Sequence, residues 1–119
     1  MESHQAILAF SQSEKIKSGI IWVSQLLQTV SGYSEAERTT LDGLLQHLTA
    51  MVTNEVSLAG RIAENDVWSE VEKCLETALV MIRSGVSQEA AFHLTQALSH
   101  VTGIGQQSMM ALKDKELLQ

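Results

Sequence analysis

Leu41-Asp42-Gly43-Leu44-Leu45-Gln46-His47-Leu48-Thr49-Ala50-Met51-Val52-Thr53-Asn54-Glu55-Val56-Ser57-Leu58-Ala59-Gly60-Arg61-Ile62 is the stretch that decides the fold. Its apolar residues return every three or four positions, at Leu41, Leu44, Leu48, Met51, Leu58 and Ile62. That is the spacing of one face of an α-helix, and no period-two alternation of a strand competes with it. A second row, Leu45, Val52 and Ala59, runs beside the first. The stretch reads as a long bundle helix with its leucine-rich row turned inward.

Glu55 breaks that row where Met51 and Leu58 predict another apolar side chain. A carboxylate on a buried face is costly unless it is paired, hydrogen-bonded or protonated. Glu55 is therefore the buried polar candidate of the chain. One reading makes it a metal ligand or a proton-transfer group with a raised pKa. The favoured reading is architectural: it hydrogen-bonds a neighbouring helix, pairs with a lysine or arginine that fixes register, or faces a dimer seam.

Composition sets the frame around this helix. A chain of 119 residues fits one domain over 1–119, large enough for a core without metal or disulfide staples. Its apolar content of 45% is that of an ordinary globular chain, and no apolar run approaches the roughly 20 residues of a membrane span. The absence of proline favours unbroken helices joined by short connections. Aromatic residues are scarce, which leaves no stacking platform for bases, and a net charge of −6 with scattered Lys and Arg argues against nucleic acid as a partner. Cys74 stands alone, so no intramolecular disulfide forms, and Met1-Glu2-Ser3-His4 lacks the basic start of a signal peptide. A cytoplasmic location is the expectation.

Three further helices flank the central one. Ile16, Ile20, Val23, Leu27 and Val30 alternate steps of four and three, a bundle stripe within a helix over about 3–31. Ser11-x-x-Glu14 offers a capping box that would restart this helix near 11–13, but no strong breaker accompanies it, so continuity is expected. Gly32 suits a left-handed stop. Ser34-x-x-Glu37 caps the helix expected over about 35–63, and Asp66 the one over about 67–84. That third helix turns Val67, Val71, Cys74, Leu75, Ala78, Leu79 and Ile82 inward and ends near Gly85. Ser87 opens the fourth, over about 88–115, whose inner face is Ala90, Leu94, Ala97, Leu98, Val101, Ile104, Gly105, Ser108 and Leu112. Short loops between four amphipathic helices predict an all-α, antiparallel, up-down-up-down four-helix bundle.

Catalytic and metal-binding patterns are missing. A diiron bundle needs two Glu-x-x-His pairs, whereas Glu89 precedes His93 by four residues and no second pair exists. His93 and His100 are seven apart, too far to share a metal from one helix, and the lone cysteine supplies no zinc set. Gly103-Ile104-Gly105 lies within a helical pattern rather than after a strand, so it is no phosphate loop. No cofactor, no metal and no enzymatic activity are expected.

A flank histidine on an acidic four-helix bundle of this size resembles the histidine-phosphotransfer domains at the level of fold. Their signature has lysine three and glycine four residues after the phosphorylated histidine. His93 has Gln96 and Ala97 there, and His100 has its glycine, Gly103, one position early. The resemblance implies an alternative function, a phosphotransfer-like signalling bundle acting through His93 or His100.

The main expectation comes from apolar residues off the core stripes: Ile21, Trp22, Val80, Phe92 and Met110. Single exposed apolar residues are normal, but several on more than one helix mark contact surfaces. The sequence thus predicts a non-enzymatic bundle acting through protein contact, as a homodimer, an adaptor or a chaperone-like binder of a partner helix. Ile21, Trp22, Phe92 and Met110 are its interface candidates.

Overall fold

The computed structural model describes residues 2–63 and 65–115. They form four helices, α1 (Ser3–Val30), α2 (Glu35–Ile62), α3 (Val67–Arg83) and α4 (Ser87–Asp114), and no strand occurs among the described residues. Helices α1, α2 and α4 are each 28 residues long and α3 has 17, a difference of about 16 Å at 1.5 Å per residue. The helices pack in a ring, α1 on α2, α2 on α3, α3 on α4 and α4 back on α1. One core fills the centre. The whole measures 55 × 24 × 18 Å.

Local chemistry explains where each helix begins and ends. The Glu2 carboxylate accepts the His4 N–H at 2.9 Å and starts α1. The helix then runs unbroken past Ser11–Glu14, where the Ser13 hydroxyl donates back to the Phe10 carbonyl at 2.8 Å. Ser34 caps α2 by accepting the Glu37 N–H at 3.4 Å, while its hydroxyl donates to the Glu37 carboxylate at 2.7 Å. Asn65, not Asp66, caps α3: its Oδ1 accepts the Val67 N–H at 2.9 Å, and the Asp66 side chain makes no cap bond. Gly85, at φ +79°, closes α3 with the Val86 N–H on Met81 O and the Gly85 N–H on Ile82 O. That is the Schellman arrangement, and it needs a residue at ease in the left-handed region. Gly32, expected in that role for α1, does not adopt a positive φ. The Gly103–Gly105 segment leaves α4 continuous.

The inward faces of α1 and α4 lie where the spacing places them. Ile16, Ile20, Val23, Leu27 and Val30 are buried on α1, as are Leu94, Ala97, Val101, Ile104 and Ser108 on α4. On α3 the buried row starts at Trp68 rather than Val67, followed by Val71, Leu75, Ala78 and Ile82. Trp68 is among the largest fully enclosed side chains.

Helix α2 departs from expectation. Its buried residues are Leu45, Val52 and Ala59, the row expected to be secondary, together with Thr49 and Val56, which no expected row contained. Leu44, Met51 and Leu58 are exposed, and Leu41, Leu48 and Ile62 are half-buried. The reason is the closeness of α1. A Cβ on Gly19 would stand 3.0 Å from Val52 Cγ2, so the two helices approach through a glycine. Helix separation follows the side chains at the contact, and the gap beside Gly19 takes Val52 in place of a leucine. The leucines are displaced to the flank. Helix α4 meets α1 the same way, since a Cβ on Gly105 would stand 3.0 Å from Ser13 Oγ.

Candidate functional site

The displaced row defines the site. Leu44, Met51 and Leu58 recur every seven residues along one flank of α2 and keep 60%, 53% and 40% of their surface in water. Glu55 belongs to the same flank. It is half-exposed rather than buried, because the whole row has rotated out of the core. Its Oε2 lies 3.0 Å from Lys15 Nζ on α1. This oxygen is itself shielded from solvent, with the Lys15 ammonium as its partner. The ion pair therefore joins α1 and α2.

Lys15 fixes which side of α1 faces this flank. Trp22 lies seven residues further, on the same side of the helix, with 61% of its surface exposed. Leu8 and Leu26 complete that side of α1 and, like Leu48 and Ile62 on α2, are partly buried against the core. The two helices thus present one continuous apolar face, crossed near its middle by a single Lys–Glu pair. Only Trp22 of this face stood out among the interface candidates. The α2 residues are legible in the sequence as an apolar row, whose bulk predicts a place in the core that the structure gives to the neighbouring row.

The other interface candidates lie elsewhere. Ile21 and Met110 are exposed, as is Phe92. Met110 lines a groove of about 930 Å³ between α1 and α4, together with Phe10 and Met109. Its rim carries Lys17, bound to Glu14 at 3.0 Å, and Lys113. Phe92 stands toward the opposite end of α4, its ring edge-on to His93 with centroids 5.4 Å apart. Val80 is exposed on α3.

His93 and His100 are half-buried on one flank of α4. Gln107 continues their row and accepts a bond from Asn65 Nδ2 at 3.0 Å, which sets that flank toward the α2–α3 connection. Cys74 is a half-buried free thiol. Burial pushes its pKa above the usual thiol value, and the negative charge of Glu70 pushes it further in the same direction. Among the described residues no group of three or more His, Cys, Asp or Glu is placed to hold a metal ion. No described helix is long and apolar enough to cross a membrane.

No family model, curated protein or solved structure matches this chain.

Proposed function

We propose that this chain is a non-catalytic protein-contact module, an antiparallel up-down-up-down bundle that works as a homodimer. The observation that carries the reading is the second apolar row of α2. A helix needs one apolar stripe to dock on its own core. Helix α2 has two, and the leucine-rich one leaves Leu44, Met51 and Leu58 in water. Contiguous exposed apolar surface of this kind marks contact surfaces in soluble proteins.

Four contacts, spread over three helix pairs, support the antiparallel order. From Lys15 to Gly19 along α1, the facing α2 residues run backward from Glu55 to Val52. Ser13, early in α1, meets Gly105, late in α4. Asn65, before α3, bonds Gln107 near the end of α4.

Sedimentation velocity across the micromolar range tests the function. The wild type is expected to sediment as a dimer, with Trp22→Ala shifted toward monomer. A wild-type monomer at every concentration, unchanged by Trp22→Ala or Phe92→Ala, overturns the homodimer.

A further inference from the structure

We propose that the α1/α2 face docks a second copy of this chain about a two-fold axis parallel to the helices, so that Lys15 of each copy faces Glu55 of the other. The inference rests on the protein-contact reading and on its antiparallel order. It goes further by fixing the occupant, the surface and the symmetry.

Size comes first. Trp22, Leu44, Met51 and Leu58 together leave on the order of 500 Å² in water, in the range of the largest apolar patches on monomers. Two such faces laid together cover at most about 1,000 Å² from these four side chains, the floor for a biological interface and short of the roughly 1,200–2,000 Å² of stable ones. The half-buried residues between them add to it.

The period identifies the occupant as helical. Positions 44, 51 and 58 repeat every seven residues, the spacing by which helices pair side by side. Charge then identifies it as a copy of the same face. Lys15 and Glu55 form the ion pair at the middle of the face, which makes that centre neutral overall and gives a strongly acidic or basic partner nothing to attract it. A copy of itself supplies one charge of each sign at the same height.

Symmetry follows from those two charges. A two-fold axis running parallel to the helices preserves height along the bundle. It sets α1 of one copy against α2 of the other, antiparallel, with Lys15 over Glu55 and Trp22 over Leu48. The four central charges then alternate in sign around a square. An axis across the helices, through the level of the pair, sets Lys15 on Lys15 and Glu55 on Glu55, and like charges at close range repel.

The test is a charge exchange read by sedimentation and native mass spectrometry. Lys15→Glu alone gathers four carboxylates at the centre of the dimer, and Glu55→Lys alone gathers four ammonium groups. Each single variant is expected to associate at least tenfold more weakly than the wild type. Mixing the two singles restores association as a heterodimer, and the double variant restores the homodimer. Lys15 and Glu55 are exposed enough for the fold to tolerate the exchange, which circular dichroism checks. If either single fails to fold, Leu44→Gln combined with Met51→Gln replaces it, with the same tenfold weakening expected. Single variants that dimerise like the wild type overturn this inference and leave the protein-contact reading standing, with the α1/α4 groove as the face in use. Weakened singles that the mixture does not rescue also overturn it, since the pair then acts within one copy. A wild type that is monomeric throughout removes both.

Discussion

The indole N–H of Trp68 donates to the carbonyl of Ala63 at 3.0 Å, inside the core, across the connection between α2 and α3. The first turn of one helix is thereby tied to the last residue before the connection. Removing only the donor, by Trp68→Phe, keeps most of the apolar volume and leaves a buried carbonyl short of that partner. The expected loss is about 1–3 kcal/mol. Trp68→Ala adds a cavity and should lose about 3–5 kcal/mol. Urea denaturation with unchanged slope checks both, and a Phe variant as stable as the wild type would show that the bond contributes nothing net.

Two glycines separate close packing from mere tolerance. Alanine at Gly19 pushes its methyl to 3.0 Å from Val52 Cγ2, a branched side chain with little rotamer freedom. The overpacking should cost about 1–3 kcal/mol. Alanine at Gly43 meets nothing within 4 Å on an exposed turn of α2. There the gain in helix propensity should stabilise by about 0.5–1 kcal/mol. Thermal melts of the two variants are therefore expected to shift in opposite directions.

Gly19 also explains what the sequence could and could not reveal. The rows of α1 and α4 were legible because each has one apolar stripe and water-facing residues elsewhere. Helix α2 has two stripes, and counting apolar bulk favours the row with Leu44, Met51 and Leu58 over the row Leu45, Val52 and Ala59. What reversed the order was the width of the gap to α1, a property of a neighbouring helix. Thr49 was also hidden from such a count, since its hydroxyl is satisfied at 2.7 Å by the Leu45 carbonyl of its own helix. Glu55 moves outward with the row it belongs to. A hydrogen bond to a neighbouring helix, a lysine or arginine pair and a dimer seam all satisfy such a carboxylate, and only the register between α1 and α2 selects Lys15. Asn65 shows the same limit at a helix start, because either Asn65 or Asp66 satisfies the capping rule and only the backbone selects one.

Cys74 gives a pH-dependent readout. Its pKa is raised, first by burial and then by Glu70, so at neutral pH less thiolate is present than in an unfolded chain. Alkylation by iodoacetamide should be slower in the folded protein than in urea, and Glu70→Gln should speed it by removing the like charge. The linkage has a definite sign. A folded-state pKa above the unfolded value means that the native state holds its proton longer. The associated stability is fully present below the unfolded thiol pKa, and it is lost as pH rises through the folded one. Denaturation at neutral and at alkaline pH should show this decline, reduced in Cys74→Ser.

The two rows of α2 should answer to different experiments. Leu45 and Val52 face inward, so Leu45→Ala should cost about 2–5 kcal/mol at any protein concentration. Leu44, Met51 and Leu58 face water, and a triple replacement by glutamine should alter the stability of an isolated copy by little, since surface changes stay near 0.5 kcal/mol each. Association changes the second expectation in one measurable way. A dimer that forms only from folded copies raises the melting temperature as protein concentration rises. The wild type is therefore expected to show a concentration-dependent melt, and the triple glutamine variant a melt that does not move with concentration and matches the dilute wild type. Leu45→Ala should melt lower throughout yet keep the wild-type dependence on concentration. If the triple variant instead loses several kcal/mol at high dilution, the leucine row belongs to the core and the assignment of the two faces of α2 is reversed.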